Sequence, residues 1–374
     1  MAVLTEEQTM LKDAARGWVA EYAPVSAFRK LRDAGETGVP AQYADMAQMG
    51  WTGIMIEEEH GGVGMGLTEM TLVLEEMGRQ LVASPLFISA LASAAVLRTA
   101  GSSAQQAAWL PKIADGSCVM TLAIDEGAHH DIRQTAATAT RTGDGFRLAG
   151  TKTHVVEGMG ADQMLILART SGTAGEAEGL TLFLAPADQL DRKPLITLDK
   201  RDYARITLEG LTLPDSAVVG EVGGAVRPLE SALDMARIGL AAEMLGLCNQ
   251  AFDTTLDYLK TRKQFDTVLA QFQALQHRMA DLFCNMELVR STVEHAARAV
   301  DAGAEDATEA AILAKSMAND FANLMSRQMV QLHGGIGMTD LHDAGLYLKR
   351  ARALEALFGN TAWQNERFAQ LHGY

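Results

Sequence analysis

The sequence predicts a mainly α-helical protein with a small β domain set in its middle. Three observations carry this. Apolar residues recur at spacings of three and four through residues 1 to about 117, and again from about residue 227 to the end. Between them, from Cys118 to about Val222, short β-rich runs alternate with turn residues such as Gly143-Asp144-Gly145. The length, 374 residues, suits two or three domains with a sizeable core. The expected domains are 1–117 (helical), 118–222 (a small antiparallel β-barrel or sandwich) and 223–374 (a helical bundle).

The first helix is signalled by Thr5 with Gln8, a capping-box pair ahead of Met10, Leu11, Ala14 and Trp18. A second runs from Tyr43 to Met49 and stops at Gly50. The glycine cluster at Gly61, Gly62, Gly64 and Gly66 forms a loop. The next helix, Leu67–Leu81, presents Met70, Leu74, Met77 and Leu81 on one face. In the middle, Met120–Ile124, Phe146–Leu148, Met164–Ala168, Leu180–Leu184 and Ala204–Leu213 read as strands, with Gly172–Gly179 as a flexible loop. Towards the end, Glu287–Ala302, Asp306–Met329 and Asp340–Phe358 are long enough to pack as a bundle. The loop Gln331-Leu332-His333-Gly334-Gly335-Ile336-Gly337 interrupts them, and its glycines let backbone amides approach a ligand closely.

Within Leu259–Leu282 one helix ends near Lys263 and another apolar stripe starts at Phe272, Leu275, Met279 and Leu282. Arg262 sits in the last turn before this break and Phe265 follows it. A guanidinium beside an aromatic ring suits a phosphate and an adenine ring. The plainer alternative is an arginine at the C-terminus of a surface helix.

Composition excludes several classes. The net charge is −15, from 32 Lys+Arg against 47 Asp+Glu, and no basic block is present, so nucleic acid is not an expected partner. No window approaches the roughly 18 uninterrupted apolar residues of a membrane span. Cys118, Cys248 and Cys284 lie far apart, which fits neither a disulfide framework nor a zinc site. The acidic, amphipathic start lacks signal-peptide features, and a reducing cytoplasmic compartment is the expectation.

Six stretches in order make the chain resemble the acyl-CoA dehydrogenases over almost its whole length. They are Leu4-Thr5-Glu6-Glu7-Gln8; Gly50-Trp51 with Glu58-Glu59-His60-Gly61-Gly62; Leu74-Glu75-Glu76-Met77-Gly78-Arg79; Arg262 with Phe265; Gln271-Phe272-Gln273 with Met279-Ala280-Asp281; and Gln331–Gly337. The resemblance implies an N-terminal helical domain, a middle β domain and a C-terminal four-helix bundle. It implies FAD as cofactor, an acyl-CoA substrate and an electron-transfer flavoprotein as electron acceptor. In that family a glutamate takes the α-proton and the β-hydride goes to the flavin. The base needs a carboxylate whose pKa is raised by desolvation. Carried over residue by residue, Arg262, Phe265, Gln273, Gln331, Gly334, Gly335 and Thr361 become cofactor-binding candidates, and Arg237 a substrate-binding one.

The chain departs from the family where the chemistry sits. The usual base position falls on Gly359, within Phe358-Gly359-Asn360-Thr361, and the alternative position falls on Ala236. Glu243, in an otherwise apolar helical run, is the substitute base expected here, with Asp234 and Glu355 as further carboxylates. In the middle domain, Ile124, His130, His154 and Val156 stand where the resemblance implies threonine, serine, tryptophan and threonine. Losing two hydroxyl contacts to the flavin costs roughly 1 kcal/mol or more each. His129, His130 and His154 raise a zinc site as an alternative, but no further ligand completes a set and no metal is expected. Asp266 stands where the family has glycine. Small residues in Leu81–Ala95 hint at room for a bulky acyl group.

The elements offered to a neighbour's FAD are kept, and those that hold the chain's own FAD are altered. That split resembles the subunits of heteromeric acyl-CoA dehydrogenases acting on steroid side-chain or other bulky CoA thioesters. The expectation is an acyl-CoA dehydrogenase working as one subunit of an α2β2 heterotetramer, with a homotetramer active alone as the other assembly. The alternatives are a non-catalytic scaffold of the same fold and a flavoenzyme with another base.

Overall fold

The computed structural model describes residues 4–38 and 40–374. Its helices and strands run α1 (Glu6–Tyr22), α2 (Val25–Ala34), α3 (Pro40–Gln48), α4 (Leu67–Arg79), α5 (Ala94–Ala100), α6 (Ser103–Ala114), β1 (Met120–Ala123), β2 (Thr138–Thr142), β3 (Gly145–Ala149), β4 (Thr151–Val156) and β5 (Gln163–Arg169). They continue with β6 (Leu180–Pro186), β7 (Asp191–Pro194), β8 (Tyr203–Thr207), β9 (Thr212–Pro214), β10 (Val218–Val219), α7 (Val226–Thr261), β11 (Lys263–Gln264), β12 (Thr267–Val268), α8 (Gln273–Asp301), α9 (Ala307–His333), α10 (Ala344–Ala356) and α11 (Thr361–Leu371). The helical, β, helical order expected from the sequence is the one observed. Two compact units form. One gathers the chain up to Gly35, Leu67–Val82 and Arg237–Tyr374; the other gathers Glu36–Gly66 and Ala83–Ala236.

In the first unit the capping box opens α1 as expected. The Gln8 N–H donates to the Thr5 hydroxyl, and the Thr5 N–H donates to the Gln8 side chain. Where α4 meets α7, two glycines let the backbones touch. A Cβ on Gly78 would lie 2.0 Å from the Glu243 carbonyl oxygen, and one on Gly246 would lie 1.7 Å from that of Glu75. Glycine inside a helix ordinarily costs about 1 kcal/mol, and here the close crossing requires it. The Glu75 carboxylate accepts from Lys12, Arg290 and Asn249 at 2.5, 2.9 and 2.8 Å. The α8 stripe is buried at Met279 and Leu282 but starts in solvent, since Phe272 is 37% exposed.

In the second unit, β10-β6-β5-β2-β3-β9 form one sheet with β1 attached to β5, and β4-β8-β7 form another. Most pairs are antiparallel, but β1 and β2 both run parallel to β5. The expected antiparallel domain is therefore mixed, because β5 comes to lie beside β1 only after the chain has passed through β2, β3 and β4. The single strand expected over Ala204–Leu213 is two strands. Gly210, at φ +86°, turns the chain, so that β8 pairs with β4 and β9 with β3. The core is apolar, with Phe146 edge-on to Phe183 at 5.2 Å among Leu148, Met164, Ile166 and Ile206. A π-helical stretch over Leu86–Ser93 is wholly buried. Ser89 accepts the Met120 N–H, and Ser93 donates to the Met120 carbonyl. Ser89 and Ser93 are thus taken up in bonds to β1.

Candidate functional site

The best-formed functional element is the hairpin at the end of α7. Gln264 pairs with Thr267, leaving Phe265 and Asp266 as a two-residue turn. Both have positive φ, +53° and +60°, as the tightest hairpin turns demand. Left-handed backbone costs a non-glycine residue roughly 1–2 kcal/mol, and Asp tolerates it better than Phe. Asp266 in the glycine position is thereby accommodated. The strain holds Phe265 outward, 86% exposed and edge-on to Phe272 at 6.4 Å. Arg262 is exposed and pairs with no carboxylate among the described residues. Strain held at an exposed aromatic points to a ligand or partner from outside.

The glycine loop lies beside this hairpin. Tyr258, one turn before Arg262, stacks on His333 at 4.4 Å and donates its hydroxyl to the His333 carbonyl at 3.4 Å. Two segments about 70 residues apart are joined in this way. Gln273, Gln331, Gly334 and Gly335 are exposed, and nothing lies within 4 Å of a Cβ placed on Gly334 or Gly335. Gly337 is different: a Cβ there would meet the Val330 carbonyl oxygen at 2.6 Å. An exposed guanidinium, an outward ring and an open glycine loop fit the ADP end of FAD.

The turn between α10 and α11 is closed. Gly359 has φ +106°, and a Cβ on it would lie 2.4 Å from the Trp363 indole and 3.0 Å from the Gln364 amide nitrogen. Arg237, fully buried, donates to the Phe358 carbonyl at 3.0 Å and lies 4.6 Å over the Trp363 ring. Lys315 and Asn319 donate to the Gly359 carbonyl at 3.3 and 3.4 Å. Lys315 also reaches the carbonyls of Leu354 and Glu355 and the Asn319 side chain. Burial pushes its ammonium down to about 7, nearby Arg237 adds to that, and Glu355 opposes it. Arg237, expected to meet substrate, is thus engaged by the turn. The Thr361 hydroxyl, expected to meet cofactor, donates to Asp320 at 2.8 Å. No carboxylate occupies position 359, and the backbone there has no room for one.

Glu243 sits elsewhere in its unit. It is buried and pairs with Arg350 at 3.3 Å; Arg350 also lies 5.1 Å over the Phe28 ring. The buried Arg350 guanidinium engages this carboxylate, so the geometry shows a structural occupation for Glu243 where a base is expected. Sequence reading missed Arg350 as its partner because 107 residues separate them. Asp234 and Ala236 are buried on α7. Glu355 faces Arg352 at 2.5 Å.

In the second unit the altered flavin-end positions are occupied by packing. Ile124 and Val156 are each 2% exposed. His130 is buried, and its Nδ1 lies 2.8 Å from the Asp125 carboxylate. Lys152, fully buried, donates to Glu126 at 2.6 Å. His154, at φ +53° on a bulge of β4, and His129 are exposed. No group of three or more metal-ligating side chains forms among the described residues. The residues of this unit at those positions supply none of the hydroxyl contacts a flavin would use, whereas the hairpin and glycine loop of the first unit do fit the cofactor's other end.

Comparison with known proteins places these features. Residues 226–371 match the acyl-CoA dehydrogenase C-terminal domain and residues 5–117 the N-terminal domain. The chain is 30% identical over 356 residues to the acyl-CoA dehydrogenase FadE12 of Mycobacterium tuberculosis, covering 93% of this chain and 91% of that protein. Among solved structures it is similar to the Tcur3481–Tcur3483 steroid ACAD, with 30% identity, 98% of both chains covered and a TM-score of 0.87. It is also similar to the ChsE4–ChsE5 complex from Mycobacterium tuberculosis, at 25% identity, full coverage of both chains and a TM-score of 0.89. With its fold in agreement, the chain belongs to the acyl-CoA dehydrogenase family, flavoprotein oxidoreductases that use FAD and act on CH–CH donors.

Proposed function

We propose that this chain works as one subunit of a heteromeric, α2β2 acyl-CoA dehydrogenase, lending the ADP-end contacts for an FAD seated mainly in a homologous subunit. The observation that carries this is the contrast between an outward Phe265–Arg262 hairpin and a Gly359 turn closed by Trp363. When bound, FAD supplies the hydride acceptor; the residues here bind and orient it. Arg262 offers a guanidinium to the pyrophosphate, Phe265 a ring to the adenine, and the Gly334-Gly335 segment backbone amides. Gln273 and Gln331 add amide donors and acceptors beside them. The homologous subunit brings the carboxylate that takes the α-proton. Electrons leave to an electron-transfer flavoprotein, as in the family.

The steroid ACAD among the similar structures supports a bulky CoA thioester as substrate, and the two-component complex supports a heteromer. Three free thiols, Cys118, Cys248 and Cys284, support a reducing cytoplasmic setting. The test is co-expression with a homologous subunit that keeps its glutamate. Replacing both Arg262 and Phe265 with Ala is expected to lower FAD occupancy of the purified complex at least tenfold while leaving this chain folded. Unchanged occupancy refutes the ADP-end role. A complex that never forms, with the chain colourless in every combination, favours the second reading, a scaffold of the same fold.

A further inference from the structure

Behind the hairpin and the glycine loop lies a stack of three rings that neither the fold nor the proposed reaction uses. His333, 3% exposed, is sandwiched between Tyr258 at 4.4 Å and His342 at 4.2 Å. Hydrogen bonds assign the protons. His333 Nδ1 faces the Met329 carbonyl at 2.8 Å and so carries the hydrogen, leaving Nε2 bare. That Nε2 is buried with no hydrogen-bond partner among the described residues. His342 Nδ1 accepts the Ala344 N–H at 3.1 Å, at the start of α10, so its lone pair is in use. Both rings are therefore neutral in this arrangement.

We infer that the His333–His342 stack is a proton-sensitive latch that holds the glycine loop against the hairpin and lets go on acidification. A proton on His342 Nδ1 abolishes its bond to the Ala344 N–H. A proton on His333 Nε2 puts a buried N–H⁺ with no acceptor beside a second imidazole. From α2, Arg29 opposes a charge on His342, while Asp343, next in sequence, favours it. Asp343 is itself held by Arg29 at 2.6 Å, and Asp340 by Arg32 at 2.6 Å, so both carboxylates are committed to arginines. Among the described residues no carboxylate acts on His333, whose titratable neighbour is His342. Burial lowers both imidazoles, His333 further because of His342. With folded values below the ordinary 6.5, the closed loop is fully favoured above that pH and loses ground as pH falls below it.

The latch rests on contacts within one unit. Its consequence for cofactor, release of the ADP end in acid, rests on the function proposed above. The test is hydrogen exchange of residues 334–343 in the full-length chain at pH 7.5 and 5.0, corrected for the intrinsic pH dependence of exchange. Opening is expected to rise several-fold from pH 7.5 to 5.0, because the closed loop disfavours the protonated rings. In the double variant His333→Phe with His342→Asn it is expected to lose that dependence. Opening that does not change with pH, or that changes equally in the double variant, overturns the latch. Should the double variant not fold, imidazole proton resonances of the unaltered chain decide: midpoints at or above 6.5 for both histidines overturn it. In the FAD-loaded complex, FAD lost in step with loop opening supports both ideas. Loop opening with FAD retained keeps the latch and sinks the ADP-end assignment.

Discussion

Replacing Gly359 with Glu restores, on paper, the carboxylate that the family carries at this point. The structure argues that it will not restore a base. Any side chain at 359 starts 2.4 Å from the Trp363 indole carbon and 3.0 Å from the Gln364 amide nitrogen. Its backbone, at φ +106°, also lies where L-residues are strained. Strain of this kind costs about 1–3 kcal/mol and overpacking about as much again. Together they give a loss of about 2–6 kcal/mol. The Phe358 and Gly359 carbonyls are held by Arg237, Lys315, Asn319 and Gln364, so the turn has little freedom to relax. Urea unfolding followed by circular dichroism reads the loss as a lower midpoint at constant slope. Acyl-CoA oxidation with an artificial electron acceptor is expected to stay at background in this chain alone. Adding Trp363→Ala to Gly359→Glu opens the space and is expected to recover part of the stability. A Gly359→Glu chain within 0.5 kcal/mol of the original, and turning over acyl-CoA by itself, would refute the reasoning.

Glu243→Gln removes a charged partner of the buried Arg350 guanidinium and is expected to cost about 3–5 kcal/mol in unfolding measurements. Turnover per folded complex is expected to be unchanged; a large loss of turnover in a fully stable variant would return Glu243 to the role of base. Gly246→Ala pushes a methyl to 1.7 Å from the Glu75 carbonyl oxygen, and a destabilisation of about 3 kcal/mol or more is expected by the same unfolding assay. Lys315 gives a pH signature. Its folded value is about 7 and its unfolded value about 10.4. Between those values the unfolded chain binds more protons, so stability rises with pH from this source. The difference in unfolding free energy between the unaltered chain and Lys315→Met is expected to shift by about 2 kcal/mol from pH 7 to 9; no shift would show an ordinary lysine there.

Local signals in the sequence carried over well where local forces decide. The Thr5–Gln8 cap, the break between α7 and α8 and the loops at Gly61 and Gly334 all depend on neighbours a few residues away. The split of Ala204–Leu213 into β8 and β9 was missed, because an alternating run gives no sign of which sheet each half will join. The empty base position was legible as Gly359, but its closure was not, since that depends on α11 turning Trp363 back over the glycine. The apolar run around Glu243 implies a carboxylate that is either paired or perturbed as a base requires. Pairing across 107 residues with Arg350 is a tertiary fact, and it selects the paired alternative. The same holds for Asp125 with His130 and for the His333–His342 stack, where residue types are visible in the sequence but ring-to-ring placement is not.

The claim at the centre is that this chain serves a cofactor it does not itself hold. The visible absorption spectrum measures that directly, on the chain purified alone and after co-expression with a glutamate-bearing homologue. Flavin absorbance near zero for the chain alone is expected, with FAD appearing only in the two-subunit complex at about one for each pair of chains. One FAD per chain in the protein purified alone, together with acyl-CoA oxidation, would contradict it.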